Sequence, residues 1–133
     1  KRTPNTIDAH RLIHWAGIEW RQTPVAMALF RAYFEEGRDI GDADVLSDIA
    51  DSAGMDAAVV RKLLQSTADA ADIRKRDAQF REMGVTGVPC FIVNGQHAVP
   101  GCQPAETWIT VIDEINSKLA ADAETDAAAE RGA

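Results

Sequence analysis

Residues 86–95 read Thr86-Gly87-Val88-Pro89-Cys90-Phe91-Ile92-Val93-Asn94-Gly95, and this segment is the most informative part of the chain. Its central run, Cys90 to Val93, consists of residues that favour β-strands. Pro89 stands directly before this run, and proline is tolerated at the start of a strand because its missing N–H is not needed there. Asn94-Gly95 is the strongest two-residue signal for a hairpin, because both turn positions require positive φ. The segment therefore predicts a β-hairpin whose second strand returns over residues 96–99.

Helical spacing of apolar residues dominates the chain before this hairpin. It predicts five helices: about Ile7 to Trp20, Pro24 to about Glu36, one ending at Gly54, one capped by Asp56, and one from about Asp69 to Met83. The second of them is apolar almost all round, which is typical of a buried helix. A last helix begins near Pro104. Residues 121–133 are rich in Ala, Asp and Glu without apolar periodicity, so we expect a disordered tail there.

The composition limits the class of protein. The chain has 133 residues, with 14 Lys and Arg against 21 Asp and Glu, which gives a formal net charge of −7. That length is sufficient for a domain with its own core. An acidic chain lacks the positive field that attracts nucleic-acid phosphates, and no apolar run is long enough to cross a bilayer, so we expect neither nucleic-acid nor membrane binding. Two cysteines and the lack of a signal-peptide pattern favour a cytoplasmic location.

Three segments together resemble a known family. Residues 86–95, followed by Val99-Pro100-Gly101 and a helix that starts at Gln103-Pro104, resemble the C-terminal half of DsbA-like thioredoxin-fold proteins. Residues 4–16 (PNTIDAHRLIHWA) and 28–40 (ALFRAYFEEGRDI) are similar to the helical insertion of the FrnE-type branch of that family. The resemblance covers about residues 3–116.

The resemblance implies an α/β thioredoxin-like fold that is mostly helical. Residues 5–83 would form an α-helical insertion domain and residues 84–120 the C-terminal β-β-α unit, ahead of the 121–133 tail. Gly87, Val88 and Pro89 would form the cis-proline loop, with a cis Val88–Pro89 bond and a Val88 backbone that helps to hold an extended substrate strand. The chemistry of the family is thiol–disulfide exchange through a mixed disulfide.

The Cys-x-x-Cys motif of the family is absent from this sequence. In the family it lies at a helix N-terminus, which lowers the thiol pKa, within a β-α-β segment that precedes the insertion. Neither Cys90 nor Cys102 has that placement, so we expect no catalytic residue in this segment and no activity from it alone. We also expect the missing N-terminal β-α-β half, or another chain, to cover the edge of the hairpin.

Cys90 and Cys102 are candidate accessory thiols rather than a redox pair. A two-residue turn at Asn94-Gly95 sets Cys90 opposite Val99, which leaves Cys102 about 10 Å further along the hairpin. Because a disulfide needs Cα atoms within about 7 Å, we expect no bond between the two cysteines. We expect Cys90 to be a small buried hydrophobe in the strand, and Cys102 to be the more exposed and more reactive thiol.

Two further clusters of polar residues are better explained by packing, hydrogen bonding or solvation than by the binding of a metal or a phosphate. His10 and His14 have the i, i+4 spacing of a helical metal pair, but no third ligand has suitable spacing. We therefore expect them to pack or to form hydrogen bonds, without a metal. Arg74-Lys75-Arg76 is interleaved with acidic residues, which is typical of a solvated helix face.

These observations favour a thiol–disulfide oxidoreductase of the DsbA-like family, present here without its catalytic dithiol. Such an enzyme acts on a protein or small molecule that carries a thiol or disulfide, and it needs no cofactor. A glutathione-dependent isomerase of the 2-hydroxychromene-2-carboxylate type shares the architecture and would use glutathione. The third alternative is a non-catalytic binding module, which would use the substrate groove of this architecture to bind a partner without a reaction. A Cys-x-x-Cys upstream of the insertion would indicate the oxidoreductase, and a lone Ser or Cys there would indicate glutathione chemistry.

Overall fold

Helices make up 64% of the structure, and the strands of the described residues form one two-stranded antiparallel sheet. The computed structural model describes residues 3–95 and 97–131, with the backbone alone over 125–131. The chain divides into two units, Lys1–Met83 and Gly84–Ala133. The first unit contains α1 (Ile7–Ile18), α2 (Gln22–Phe30), a π-helical turn (Arg31–Glu35), α3 (Ala43–Ser52), α4 (Ala57–Leu64) and α5 (Ala70–Glu82). The second unit contains β1 (Cys90–Val93), β2 (His97–Pro100) and α6 (Ala105–Arg131).

The core of the first unit forms where α1, α2 and α3 meet. Leu12, Val25 and Leu46 contribute one completely buried side chain from each of these helices. The apolar stripe predicted along α1 accounts for its side of this core. Helix α1 ends at Ile18, earlier than predicted, because Trp20 has a left-handed φ of 59° that interrupts a right-handed helix.

Helix α2 differs from the prediction in its start and in its burial. It begins at Gln22, before the expected Thr23-Pro24 start, and it continues into the π-helical turn. Val25 is buried, whereas Met27 and Phe30 are 58% and 60% exposed. The prediction of a helix buried all round is therefore wrong for this chain, because no described element covers its second apolar side.

Capping residues fix the turn between α3 and α4. The Asp56 carboxylate accepts hydrogen bonds from the backbone N–H groups of Ala58 and Val59, at 2.9 and 3.0 Å, so Asp56 is the N-cap of α4 as predicted. Gly54, shortly after the end of α3, has a φ of 81°, a conformation that glycine adopts without a Cβ clash. The two short helices are thus delimited by local chemistry.

A buried arginine connects α1 to the end of α4. Arg11 is only 2% exposed, yet all three of its side-chain nitrogens donate hydrogen bonds. The acceptors are the carbonyl oxygens of Leu63 (2.7 Å), Leu64 (3.5 Å), Ser66 (3.0 Å) and Ala68 (2.7 Å) and the Asp8 carboxylate (2.8 Å). The Leu63 carbonyl also accepts from the N–H and hydroxyl of Ser66, but the carbonyls of Ser66 and Ala68 have no other donor among the described residues, so Arg11 satisfies groups that would otherwise lack a partner.

The second unit contains the predicted hairpin in a different register. Cys90 pairs with Pro100 and Val93 with His97, whereas the sequence predicts Cys90 opposite Val99. The loop is therefore one residue longer than a two-residue turn at Asn94-Gly95, and three-residue hairpin loops of this kind are common. Residue 96, which the sequence predicts to begin the second strand, lies outside the described residues.

The apolar pattern and the position of a proline explain this register. Phe91 pairs with Val99, and the Phe91 ring meets Trp108 of α6 edge-on at 4.9 Å between centroids, so the apolar pair faces the helix. Gly101 donates its N–H across to the start of β1 at 2.7 Å, which makes the preceding pair a non-hydrogen-bonded one. Pro100 occupies that position, and its missing N–H leaves no gap in the ladder.

Helix α6 extends through Arg131, so residues 121–131 are helical where the sequence predicts a disordered tail. The reason is intrinsic propensity, because Ala and Glu are strong helix formers and a helix that is already nucleated continues at low cost. Residues 132 and 133 of the predicted tail lie outside the described residues. Among the described residues, none of the helices combines the length and apolar character that a bilayer-spanning segment needs.

Replacing Arg11 by Met should destabilise the first unit strongly. The variant leaves the carbonyls of Ser66 and Ala68 without a donor, while the Leu63 carbonyl keeps its bonds from Ser66, and a buried unsatisfied group costs about 1–3 kcal/mol. We expect the free energy of unfolding to fall by about 3 kcal/mol or more, measured by urea titration with far-UV circular dichroism. Arg74→Met, on the exposed side of α5, is the control and should change it by less than about 0.5 kcal/mol. Equal stability of the two variants would contradict the role assigned to Arg11.

The edge of β1 that is left unpaired among the described residues should promote self-association of the chain. Ile92 lies on the side of the sheet opposite Phe91, and β1 pairs with a single strand among the described residues. We expect the sedimentation coefficient to rise with protein concentration in analytical ultracentrifugation. Ile92→Lys should weaken this dependence, because a charge on the sheet opposes association, whereas Thr110→Lys on the exposed side of α6 should not. A chain that remains monomeric throughout the concentration range would show that the prediction is wrong.

Candidate functional site

The loop before β1 presents Val88 to solvent. The Val88 side chain is 93% exposed, and the Val88–Pro89 peptide bond is cis. At Gly87, no atom of the described residues beyond its chain neighbours lies within 4 Å of the position that a Cβ would occupy. Gly87, Val88 and Pro89, which the family resemblance assigns to the cis-proline loop, therefore lie together in an open turn of the chain.

This loop and the end of β2 enclose a cleft of about 320 Å³. Residues 84–90 line one wall, and Ala98, Pro100 and Gly101 line the other. The hydrogen bond from the Gly101 N–H to the Pro89 carbonyl oxygen, 2.7 Å long, joins the two walls. The cleft therefore offers main-chain groups together with small and apolar side chains.

The main chain of Val88 has no hydrogen-bond partner among the described residues. In the register of the hairpin Val88 lies opposite Cys102, next to the hydrogen-bonded pair Pro89–Gly101, and at such a non-hydrogen-bonded position the main-chain N–H and C=O are directed away from β2. The N–H and C=O of Val88 are thus free beside the cleft. A free main-chain donor and acceptor at a sheet edge is what an extended peptide requires in order to add as a further strand.

The two cysteines lie at this hairpin, and both thiols are free. Cys90 lines the cleft but is only half-buried, so the prediction of a buried thiol is wrong. The reason is that Cys90 lies on the side of the sheet opposite Phe91, which is the residue that contacts α6. Cys102 is exposed and lies two residues beyond Pro100, the strand partner of Cys90, instead of the predicted three.

His10 and His14 lie in the first unit, where both are hydrogen-bonded. His10 Nδ1 donates to the Thr6 carbonyl oxygen at 2.7 Å, and His14 Nδ1 lies 3.4 Å from Arg76 Nη1. No group of three or more metal-ligating side chains occurs in the part of the chain that the structure describes. The contact between His14 and Arg76 was beyond sequence reasoning, because it joins α1 to α5 and no spacing rule relates residues of two different helices.

A close ion pair lies near these histidines. The Asp77 carboxylate accepts hydrogen bonds from Arg81 Nε at 2.9 Å and Arg81 Nη2 at 3.4 Å. That hydrogen bonding, and then the negative charge of Asp77, raise the pKa of the Arg81 guanidinium. Both groups are exposed and one helical turn apart on α5, so the pair contributes little to stability. Its consequence is that the Asp77 carboxylate neutralises the positive charge of Arg81.

A family model shows the class to which this chain belongs. The model of the DSBA-like thioredoxin domain matches residues 1–113, a range that includes α1 to α5, the Val88 loop and the hairpin. The chain therefore belongs to the DsbA-like thioredoxin family. The mostly helical α/β thioredoxin-like fold expected from the sequence is confirmed.

Two relatives indicate the share of a family member that these residues represent. The chain is 29% identical over 92 residues to the uncharacterized protein YwbO of Bacillus subtilis (strain 168). This match covers 68% of this chain and 45% of YwbO. It also matches the crystal structure of the probable DsbA oxidoreductase SCO1869 from Streptomyces coelicolor at 33% identity and a TM-score of 0.76, over 83% of this chain and 48% of that chain. The chain thus spans about half the length of both relatives.

Alkylation should distinguish the two thiols. We expect iodoacetamide to modify Cys102 before Cys90, because Cys102 is exposed and Cys90 is half-buried. Mass spectrometry of the peptides at successive times measures the order. Cys102→Ser should remove the fast phase of modification, and the matched variant Cys90→Ser should retain it. Faster modification of Cys90 would contradict the expected order.

Proposed function

We propose that this chain forms the substrate-binding part of a thiol–disulfide oxidoreductase of the DsbA-like family, in its FrnE-type branch. The observation that carries the proposal is the free main chain of Val88 beside the hairpin cleft, in a chain that belongs to this family. In this proposal, residues 5–83 act as the helical insertion and residues 84–120 as the C-terminal β-β-α unit. The likeness to a probable DsbA oxidoreductase supports the reaction class.

The substrate in this proposal is an extended polypeptide, or a small molecule, that carries a thiol or disulfide. A peptide strand laid along Val88 exchanges main-chain hydrogen bonds with it, which provides affinity without dependence on particular side chains. The Val88 side chain is exposed and Gly87 has none, so neither restricts the size of the neighbouring substrate residue. We therefore expect broad tolerance for the sequence around the reacting cysteine.

The exchange reaction needs two thiols that act as a pair. An attacking thiolate bonds to one sulfur of the substrate disulfide, that disulfide breaks, and its other sulfur leaves as a thiolate. A second enzyme thiol then attacks the mixed disulfide, so that the enzyme dithiol ends as a disulfide and the substrate as two thiols. Cys90 and Cys102 do not have Cys-x-x-Cys spacing, and we propose that a segment outside these 133 residues supplies the dithiol while they remain accessory thiols.

The same proposal needs no cofactor, because exchange transfers electrons from sulfur to sulfur. It includes a cytoplasmic location, which the low cysteine content favours. A net charge of −7 argues against a nucleic-acid partner.

Insulin reduction, with dithiothreitol as the reductant that restores the enzyme dithiol, tests the proposal on two proteins, the chain itself and the chain joined to the sequence encoded directly upstream of Lys1. We expect turnover from the extended protein, and none above that of free thiol from the chain alone, because only the former would contain an attacking and a resolving thiol. Equal turnover in both proteins, abolished by Cys90→Ser or Cys102→Ser, would show that the chemistry lies in these residues instead.

Two substitutions in the extended protein test the role of the Val88 main chain. Val88→Pro removes its N–H and should lower kcat/KM by about tenfold, the loss expected for one main-chain hydrogen bond. Val88→Ala keeps the main chain and should change kcat/KM by less than about twofold. Glutathione-dependent isomerisation without insulin reduction would favour the isomerase alternative, and peptide binding without either reaction would favour a binding module.

A further inference from the structure

A second cleft, with a volume of about 430 Å³, lies in the first unit between α1 and α5. His10 and His14 line it from α1, and Arg76 and Phe80 line it from α5. Its volume falls within the range of small-molecule sites, about 300–1,000 Å³. The thiol chemistry proposed above uses none of these residues, so the cleft requires an explanation of its own.

The hydrogen bonds of this cleft determine which nitrogen carries the proton of each neutral imidazole. A carbonyl oxygen only accepts, so the 2.7 Å contact with Thr6 puts the His10 proton on Nδ1. A guanidinium only donates, so the 3.4 Å contact with Arg76 makes His14 Nδ1 the acceptor and puts its proton on Nε2. No described residue accepts a hydrogen bond from His14 Nε2. That N–H is therefore available to a ligand in the cleft.

Arg76 carries the one guanidinium of this cleft that no described carboxylate neutralises. The other guanidinium, that of Arg81, is paired with Asp77 at 2.9 Å. Within the described residues, the hydrogen-bond contact of the Arg76 side chain is with His14, and no carboxylate oxygen lies within 4.0 Å of it. The Arg76 guanidinium thus keeps both its charge and most of its donors free.

We infer that the α1–α5 cleft binds the carboxylate group of a small organic acid. A carboxylate matches the planar fork of a guanidinium, and the His14 Nε2–H supplies a further donor from the opposite helix. Ile73 and Phe80 also line the cleft, which suits a ligand whose carboxylate is attached to an apolar body. One free positive charge favours a monoanion over a phosphate dianion, in a chain that already carries a net charge of −7. This inference is independent of the proposed thiol chemistry.

Titration of the ¹⁵N-labelled chain with benzoate at constant ionic strength, followed by NMR, tests the inference. Benzoate is a monoanionic carboxylate on an apolar ring, benzamide is its neutral isostere, and inorganic phosphate is the dianionic control. We expect benzoate to shift the amide signals of residues 14, 73 and 76 saturably. Benzamide and phosphate at the same concentrations should leave these signals unchanged.

Neighbouring charges on α5 provide a matched pair of variants. Arg76→Gln should weaken benzoate binding by about tenfold, because it removes the charged donors. Lys75→Gln removes the same charge from an adjacent residue that does not line the cleft, and it should weaken binding by less than about twofold. Both positions are exposed, so neither change should disturb the fold. Absence of benzoate shifts, saturable shifts with benzamide, tighter binding of phosphate, or equal losses in the two variants would overturn the inference.

Discussion

The buried guanidinium of Arg11 is the interaction on which the first unit depends. Its nitrogens satisfy the carbonyls of Leu63, Ser66 and Ala68, which end α4 and lead towards α5, while the Arg11 main chain belongs to α1. A charge this deeply buried is tolerated only when its donors have partners, and here main-chain oxygens provide most of them, with the Asp8 carboxylate as the counter-charge. One side chain of α1 therefore specifies the path of the α4–α5 connection.

That connection determines where α5 begins, and so it determines the geometry of the α1–α5 cleft. Trp15, one turn beyond Arg11 on α1, donates its indole N–H to the Asp69 carboxylate at 2.7 Å, directly before α5. Two neighbouring side chains of α1 thus hold the start of α5. Arg76 lies about two turns into α5, which brings its guanidinium to His14. Arg11 and Trp15, on the buried side of α1, thus hold the connection to α5, and His10 and His14, on the adjoining side of the same helix, line the α1–α5 cleft.

Sequence reasoning succeeds where a few neighbouring residues determine the structure and fails where distant residues do. Asp56 is recognisable as a cap because its partners are two and three residues away. The predicted register of the hairpin is wrong, because Asn94-Gly95 indicates a turn without specifying how many residues the loop contains. The contact between His14 and Arg76 has no sequence signature, since it requires the tertiary arrangement of two helices. The loop of residues 87–89 was found through family resemblance, because an exposed main chain without a partner is a property of the fold and not of residue type.

The two clefts differ in the kind of group that they leave free, and this difference decides how selective each can be. Beside Val88 the free groups belong to the main chain, whose pattern is the same in every polypeptide, so the proposed recognition there would separate extended from folded substrates and discriminate little between sequences. In the α1–α5 cleft the free groups are side-chain donors with one positive charge, so recognition there depends on the charge and planarity of the ligand. Recognition by main chain also requires an open edge, and an open edge accepts any strand that reaches it. The hairpin that is proposed to bind an extended substrate is for the same reason the part of the chain that can pair with a second copy of itself.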